Sequence, residues 1–351
     1  MPFHAVIMMV HSLCFSSSHN DLPWNIRKFI HNKIHTVNFT YDLRNISPWS
    51  RSAWSHTDLN RLKQGRVGAQ LWVAYAPCGS QHRDAVQVTL EQIDLIKRMI
   101  NQYPNHLAFV NDSTTQFFLT LGTPFSVFRA DCSDVDKPDV EPTHNGLSTF
   151  GKTVIKEMNR LGMIIDLSHS SRQTAMDAIE TSEAPVIFSH SSAFALCNST
   201  RNVQDDLLKL LAKKKGMVMV NFFSYYLTCS NKSTIHDVVG HLNHIKEVAG
   251  PDAVGIGASY DGINSLPEGL EDVSKYPELF SMLLASGMWT LEELKKLAGL
   301  NFIRVFQEVE KVSMRLRSES LPHEEHIRPE DIKDFISCRS VAKRDANNTL
   351  C

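Results

Sequence analysis

Two stretches in the middle of the chain decide the fold: Met163-Ile164-Ile165-Asp166-Leu167-Ser168-His169 and Ala184-Pro185-Val186-Ile187-Phe188-Ser189-His190. Each is a short apolar run that ends in Ser-His. An apolar run of this length, with polar residues at its end, is typical of a strand that is buried on both faces of a parallel sheet. Residues 172–181, between the two runs, have the pattern of a helix, so the three segments together predict a βαβ unit.

The same alternation of strand and helix extends in both directions from this unit. The apolar pattern predicts further helices at residues 89–103, 150–161, 205–213, 236–248 and 291–312, and further strands at 67–75, 217–223 and 254–258. Apolar strands that alternate with amphipathic helices are typical of a parallel sheet or barrel covered by helices.

The alternation fails between residues 114 and 142. An apolar burst at residues 117–128 is followed by an acidic, proline-containing run that begins at Asp131. No strand–helix pair with normal turn residues fits there. We therefore expect an α/β fold of the TIM-like (β/α)8 barrel type that is incomplete or distorted around residues 114–145.

The composition is that of an ordinary globular protein. The chain has 351 residues, of which 42% are hydrophobic and 21% charged, and its formal net charge is -2. This balance gives no electrostatic reason to expect nucleic acid as a partner. None of the seven cysteines lies in a C-x-x-C pair, which argues against a zinc site made of cysteines.

The two ends of the chain and its sequons bear on the compartment. Residues 1–18 form a poor signal peptide, because no Lys or Arg precedes the apolar residues and His4 and His11 interrupt them. The polar C-terminus has no hydrophobic tail of the GPI type. Sequons of a secreted glycoprotein occur at Asn38, Asn45, Asn111, Asn198, Asn231 and Asn347. We expect the chain to be secreted or mislocalised.

Metal-type ligands lie at several predicted strand ends. His19-Asn20-Asp21 places an imidazole and a carboxylate on the same side of an extended chain. His169 and His190 end consecutive predicted strands, and such strands usually pair. Neutral imidazoles and carboxylates are common zinc ligands, so the pattern indicates a metal-dependent α/β hydrolase. The alternative is that each histidine is a hydrogen-bonded loop residue.

Longer motifs around these residues resemble the membrane (renal) dipeptidase family. The similar stretches are residues 19–24, 68–72, 89–92, 161–169, 184–191, 201–203, 269–274 and 301–306. They follow the family's order, with an interruption around residues 114–145. The resemblance implies a metal-dependent hydrolase barrel over residues 19–312, with a divergent N-terminal segment at 1–18 and a C-terminal tail at 313–351.

The resemblance also implies an activity and a set of ligands. Members of this family use two zinc ions to hydrolyse the peptide bond of dipeptides, and relatives also open some β-lactams. By position, His19 and Asp21 match ligands of one zinc, and His169 and His190 match ligands of the other. Arg201 matches the arginine that holds the substrate carboxylate, a role suited to its planar, permanently charged guanidinium.

Two stretches that carry family residues are absent. One is Glu-Gly-Gly-His, whose glutamate bridges both zinc ions, and no glutamate occurs between Glu91 and Glu141. The other is Thr-His-Ser/Thr-Cys, whose histidine contacts substrate. The spacing is shorter than in the family by roughly 40 residues, about one βα unit or slightly more. Side chains that remain there, and that also fit a solvated acidic loop, are Asp112, Asp131, Asp134, Asp136 and His144.

A third departure lies at residues 255–262. Relatives have Gly-Gly-Asp-Phe/Tyr-Asp-Gly there, and the first aspartate, a catalytic acid beside the zinc ions, aligns with Ser259. Asp261 matches the second, less directly involved acid. A serine hydroxyl cannot replace a carboxylate in moving a proton near neutral pH, so we expect no intact catalytic acid.

The resemblance implies roles for several cysteines. Cys197 and Cys229 match a family disulfide, and Cys338 matches a cysteine that can join two subunits into a disulfide-linked homodimer. Cys78 matches a half-cystine whose partner lay in the absent stretch. It either pairs with Cys132 or remains a free buried thiol.

These features leave four hypotheses. The four retained ligands and Arg201 favour a zinc dipeptidase of reduced or altered competence. The missing glutamate and Ser259 favour a non-catalytic glycoprotein or binding module. A third is a truncated product that does not fold stably, because a barrel without one βα unit exposes sheet edges. The fourth is a deaminase or lactonase of the wider barrel superfamily, against which residues 19–24 and 201–203 argue.

Overall fold

The computed structural model describes residues 15–80, 83–110, 113 and 145–328. The predictions for Asp112, Cys132, Cys338 and residues 114–144, and the pairing of Cys78, lie outside what is described. No helix within these ranges is long and apolar enough to cross a membrane.

Parallel strands form the centre of the molecule. In chain order they are β1 (Phe15–Asn20), β2 (Val67–Trp72), β3 (Ile165–Asp166), β4 (Val186–Phe188), β5 (Met217–Val220) and β6 (Val254–Ile256). β1 pairs with β2, and β3 to β6 pair in sequence order. A parallel bridge between Asn20 and Tyr260 connects the end of β1 to the segment after β6. The expected α/β architecture of parallel strands is therefore confirmed, and β2 and β3 are its outer strands within the described ranges.

Helices connect and cover these strands. Those of the described part of the chain are α1 (Leu22–Ile30), α2 (Leu59–Gln64), α3 (Ala85–Gln102), α4 (Thr149–Leu161), α5 (Arg172–Thr181), α6 (Asp205–Lys213), α7 (Ser224–Leu227), α8 (Ile235–Ala249), α9 (Tyr276–Ala285), α10 (Leu291–Lys295) and α11 (Asn301–Glu319). Side-chain caps begin several of them. Ser148 and Ser171 accept backbone hydrogen bonds at α4 and α5, and Thr234 forms a capping box with Asp237 at α8.

Alternate residues of β5 face two different apolar cores. Val218 and Val220 belong to the large central core, whereas Met217 and Met219 pack with Phe302 and the rest of one face of α11. Side chains alternate between the two faces of a strand, so a strand covered on both faces must be apolar at every position. This explains why the strands of this half of the chain are continuous apolar runs.

Three strand ends approach closely at Gly257, just after β6. A Cβ at this position would lie 1.9 Å from the carbonyl oxygen of Ser189 and 2.8 Å from Ser18 Oγ. The Ser18 hydroxyl donates a hydrogen bond to that same carbonyl. Because glycine has no side chain, the carboxyl ends of β1, β4 and β6 can gather at one place, which is where the candidate ligands lie.

The prediction of a single helix over residues 291–312 is wrong. The structure divides it into α10 and α11 through a π-type turn, Lys296–Leu300, in which Gly299 leaves the helical conformation (φ 173°, ψ -22°). A Cβ at Gly299 would lie 3.1 Å from Ser16 Oγ, so this break lets the chain pack closely against β1.

Near the N-terminus, β1 begins at Phe15 and so includes residues 15–18 of the predicted N-terminal segment.

Candidate active site

The predicted ligands lie together at the carboxyl ends of three strands. His19 is the penultimate residue of β1, and Asp21 follows that strand directly. His169 and His190 follow β3 and β4. His19 and His169 adopt the left-handed conformation, with φ of 53° and 69°, which marks the places where the chain turns away from the strand direction.

These four side chains contact one another. The His19 ring stacks on the His190 ring with 3.5 Å between centroids. His19 Nε2 lies 3.1 Å from Asp21 Oδ2, and His169 Nε2 lies 2.8 Å from His190 Nε2. The structure therefore brings together the residues that the sequence predicts as ligands of two separate metals.

Burial lowers the pKa of two of the histidines, which favours their neutral form. Desolvation lowers the pKa of His169 well below its usual value, and electrostatic interaction with Arg201 and His19 lowers it further. The pKa of His190 is lowered in the same way, by burial first and then by His19, His169 and Arg201. Neutral imidazoles have the free lone pair that a metal ligand needs.

The chemistry of this donor set fits zinc, although the side chains do not converge on one point. Three imidazoles and a carboxylate are common zinc ligands, and the buried His19 Nδ1 has no hydrogen-bond partner. In residues 15–80, 83–110, 113 and 145–328, no group of three or more His, Cys, Asp or Glu side chains is arranged to hold a metal ion. The nitrogens of His169 and His190 point at each other, so holding a metal requires at least one of the two rings to rotate.

A buried carboxylate and two serines support His190 from behind. Ser189 Oγ lies 2.7 Å from His190 Nδ1 and 2.5 Å from Asp166 Oδ2. The backbone N–H of His190 donates to Ser168 Oγ at 2.9 Å. Asp166, Ser168 and Ser189 were not predicted as site residues, although an aspartate inside an otherwise apolar strand is a sequence signal for such a role.

Arg201 lies beside the cluster. Its Nη2 donates to the His190 carbonyl oxygen at 3.4 Å, and its guanidinium lies 5.2 Å from the centroid of the Tyr226 ring. Arg201 and His169 line one cavity between α5 and α6, together with apolar residues such as Phe188 and Leu207. Tyr226 was not predicted as a site residue, because nothing in its local sequence marks it.

A disulfide between Cys197 and Cys229, the pairing that the resemblance implies, ties the loop that carries Arg201 to the segment just after α7, the helix that carries Tyr226. The side-chain amide of Asn202 strengthens this connection. Its Nδ2 donates to the carbonyl oxygens of Cys197 (3.0 Å) and Tyr226 (2.8 Å). The relative position of the guanidinium and the aromatic ring is thus fixed by covalent and hydrogen bonds.

Ser259 and Asp261 lie in the turn after β6, on the Asp21 side of the cluster. Both are buried and both have left-handed backbone, with φ of 60° and 65°. Asp261 accepts a hydrogen bond from Asn25 Nδ2 at 3.1 Å, and burial raises the pKa of its carboxyl group to about 7. The same turn contains Gly262, where a Cβ would be 2.0 Å from Asp21 Oδ2.

Parallel strands, covering helices and a histidine–carboxylate cluster at the strand ends define the class of metal-dependent α/β hydrolases. The family model described as membrane dipeptidase (peptidase family M19) matches residues 5–116 and 117–320. The chain belongs to this family, whose members are metallo-dipeptidases. The match includes residues 117–144, where the motifs quoted above are interrupted.

Individual relatives agree with this assignment. The chain is 39% identical to dipeptidase 3 of Mus musculus and 40% identical to dipeptidase 3 of Rattus norvegicus, over 84% of its own length. It spans only 64% of the length of these relatives.

The fold is similar to that of a Rhodobacter sphaeroides metallo peptidase liganded with a phosphinate mimic of the dipeptide L-Ala-D-Ala. That comparison has a TM-score of 0.69, 22% identity, and coverage of 85% of this chain and 99% of the other. A probable dipeptidase from Pseudomonas aeruginosa, PvdM, gives a TM-score of 0.72 at 17% identity, with coverage of 89% and 99%. At these identities the likeness supports the fold alone.

Proposed function

We propose that this chain is a zinc-dependent dipeptidase of reduced competence, which binds a dipeptide by its C-terminal carboxylate and hydrolyses its peptide bond. The observation that carries the proposal is the contact among His19, Asp21, His169 and His190, with the Arg201 guanidinium beside them. Membership of the metallo-dipeptidase family supports the reaction type.

Each group of the site has a defined task in this proposal. Arg201 pairs with the substrate carboxylate, and the Tyr226 ring beneath it limits how the guanidinium can turn. This anchors the dipeptide so that its peptide carbonyl faces the histidine cluster. Zinc, held by His19, Asp21, His169 and His190, would supply a polarised carbonyl oxygen and an activated water.

Ser259 explains why we expect a slow reaction. Its hydroxyl cannot accept a proton from water or deliver one to a leaving amine near neutral pH. The neighbouring carboxyl group of Asp261 is fully buried, and its Oδ1 already binds the Asn25 side chain. Proton transfer is therefore the step that this chain supports least.

The role of Arg201 can be tested by comparing a dipeptide with its C-terminal amide. We expect hydrolysis of the free acid to be preferred, and Arg201→Gln to lower kcat/KM for the acid by roughly 10- to 100-fold, because one charged hydrogen-bonding group is lost. The amide should be affected much less. Arg98→Gln, in an exposed ion pair with Asp94, is the control. No hydrolysis of any dipeptide by folded, zinc-loaded protein would refute the proposal.

A second candidate is a dipeptide-binding module without turnover. The 2.8 Å contact between His169 Nε2 and His190 Nε2 favours it, because each ring occupies the nitrogen that the other would need for a metal. Calorimetric binding of dipeptides that needs Arg201, without turnover at any zinc concentration, would favour this candidate. β-Lactam hydrolysis is a further proposed activity, which can be measured with the same purified protein used for dipeptide hydrolysis.

We also propose that the chain works in an oxidising, secretory compartment, where the Cys197–Cys229 disulfide persists. The sequon asparagines within the described residues, Asn38, Asn45, Asn198 and Asn231, are all exposed and accessible to glycosylation. Expression behind a functional signal peptide should give a product whose mass falls on treatment with a glycosidase. An unglycosylated secreted product would contradict this.

A homodimer linked through Cys338 is a separate proposal, which non-reducing electrophoresis tests.

A further inference from the structure

The Ser189 hydroxyl lies between a buried carboxylate and an imidazole. Its Oγ is 2.5 Å from Asp166 Oδ2 and 2.7 Å from His190 Nδ1. All three side chains are buried, so no bulk water competes for these hydrogen bonds. The direction in which the protons are donated along this line determines which nitrogen of His190 carries its hydrogen.

The Asp166 carboxyl group, at the end of this line away from His190, acts as a hydrogen-bond acceptor. Asp166 Oδ1 accepts the backbone N–H groups of Ser168 (3.0 Å) and Ser189 (2.9 Å), which cannot reverse their polarity. Burial raises the pKa of the Asp166 carboxyl group, and the hydrogen bonds from Ser189 and the Ser168 backbone oppose this rise by favouring the ionised form, which is the form that accepts from Ser189 Oγ. The Ser189 hydroxyl has one hydrogen and gives it to Oδ2. It can then only accept from His190, so His190 Nδ1 carries a hydrogen.

The other side of the ring is consistent with this direction. His190 Nε2 faces His169 Nε2 at 2.8 Å, and only one hydrogen fits between two nitrogens at that distance. If His190 Nδ1 is the protonated nitrogen of a neutral ring, His190 Nε2 offers a lone pair and His169 Nε2 donates. The ring itself is held by stacking on His19, with 3.5 Å between centroids.

We propose that Asp166 and Ser189 are positioning residues that hold His190 as the Nδ1–H tautomer and so present its Nε2 lone pair to the site. We call these hydrogen bonds, from Asp166 through Ser189 to His190, the relay; they are present in the metal-free protein. Its use in metal binding rests on the function proposed above. Partners of this kind orient metal-binding histidines and typically change metal affinity by roughly 10–100-fold when removed.

The opposite direction is the competing arrangement. If Asp166 were protonated at Oδ2, it would donate to Ser189, Ser189 would donate to His190 Nδ1, and His190 would be the Nε2–H tautomer. The two arrangements place the hydrogen on different nitrogens of the same ring. Nitrogen chemical shifts of labelled histidine distinguish them directly.

The experiment is 15N NMR of metal-free, folded full-length protein with labelled histidines, at one pH near neutrality. We expect a protonated Nδ1 and an unprotonated Nε2 in His190. In Asp166→Asn, the amide nitrogen can donate to Ser189, whose hydroxyl then donates to His190 Nδ1, so the tautomer should reverse. In Ser189→Ala, the fixed tautomer should give way to a mixture, and the dissociation constant for zinc should rise by roughly 10–100-fold.

Ser191→Ala is the matched control, because Ser191 Oγ lies 3.1 Å from Ser168 Oγ and outside the relay. It should leave the His190 tautomer unchanged. An Nε2–H tautomer in the wild type, or one that Ser189→Ala does not change, would overturn the inference, even if Asp166→Asn fails to fold. If the tautomer behaves as expected but zinc does not bind, the relay stands and the proposed function fails.

Discussion

At the scale of single residues, two glycines show how closely the backbone surrounds the candidate site. A Cβ at Gly262 would lie 2.0 Å from Asp21 Oδ2, and a Cβ at Gly257 would lie 1.9 Å from the carbonyl oxygen of Ser189. The first neighbour is the end of a side chain, which can move. The second is backbone next to β4, which cannot move without disturbing the sheet.

We therefore expect Gly262→Ala and Gly257→Ala to fail in different ways. Gly262→Ala should displace the Asp21 carboxylate and weaken zinc binding by about tenfold or more, with a small loss of stability. Gly257→Ala should lower the free energy of unfolding by about 1–3 kcal/mol, as overpacking does. Urea unfolding and zinc titration of both variants measure these effects. Equal stability losses, with unchanged zinc affinity in Gly262→Ala, would contradict this account.

Ser259→Asp is the substitution expected to raise activity. The left-handed backbone at this position (φ 60°) tolerates aspartate better than most residues. A carboxylate there supplies the missing group for proton transfer, so we expect kcat to rise at least about tenfold. Steady-state kinetics on one dipeptide measures it, and Ser259→Asn, similar in size but without an acid, is the control. Equal rates for the two variants would show that proton transfer at this position is not limiting.

His56 gives a pH dependence of stability with a defined sign. Burial lowers its pKa from 6.5 to about 4, and its Nδ1 accepts the Asp261 backbone N–H at 2.9 Å. The unfolded chain binds a proton at His56 between pH 6.5 and 4 and the folded chain does not, so this contribution to stability is lost as pH falls. The raised pKa of Asp261 acts in the opposite direction, because the folded chain binds that proton first.

The variant His56→Asn separates the two effects. It keeps an acceptor near the position of Nδ1 but cannot be protonated. Relative to the wild type, we expect it to gain about 3 kcal/mol of unfolding free energy between pH 7 and pH 4. Urea unfolding at several pH values gives the difference between the two proteins. A difference that does not change with pH would rule out a neutral, buried His56.

At the scale of elements, a buried ion cluster attaches α2 to the turn before α9. Arg61 Nε donates to Asp58 Oδ2 at 2.6 Å, and its Nη1 lies 3.2 Å from Asp272 Oδ2. Removing one partner of a buried cluster leaves charges without compensation, so we expect Arg61→Met to cost about 3–5 kcal/mol. Arg44→Met should cost less than about 1 kcal/mol, because Arg44, which contacts the same Asp272, is 56% exposed. Similar losses in denaturant unfolding would contradict this distinction.

Elements with a strong local signal could be predicted, and those decided by tertiary contacts could not. Residues 172–181 and 205–213 form helices with the predicted bounds, since their apolar spacing and terminal residues specify them locally. The break at Gly299 was missed, because it depends on close packing against Ser16, which is distant in sequence. β3 has only two residues in the ladder, fewer than its apolar run suggested, because pairing with β4 sets its length.

At the scale of the whole molecule, the parallel α/β plan could be predicted because it repeats. The proximity of the strand-end histidines could be predicted from that plan, since the carboxyl ends of parallel strands lie on one side of the sheet. What could not be predicted is how the side chains meet. The stacking of His19 on His190, the Tyr226 ring against Arg201 and the Asp166–Ser189 relay all depend on residues brought together from segments that are distant in sequence.

The most direct test of the central claim, that the retained ligands still make a working zinc site, is the zinc content of the purified, folded protein. It should be measured with the hydrolysis of one dipeptide, before and after chelation. We predict bound zinc, together with slow hydrolysis that disappears on chelation and returns when zinc is added. A folded protein that retains no zinc and hydrolyses no dipeptide at any zinc concentration would contradict the claim.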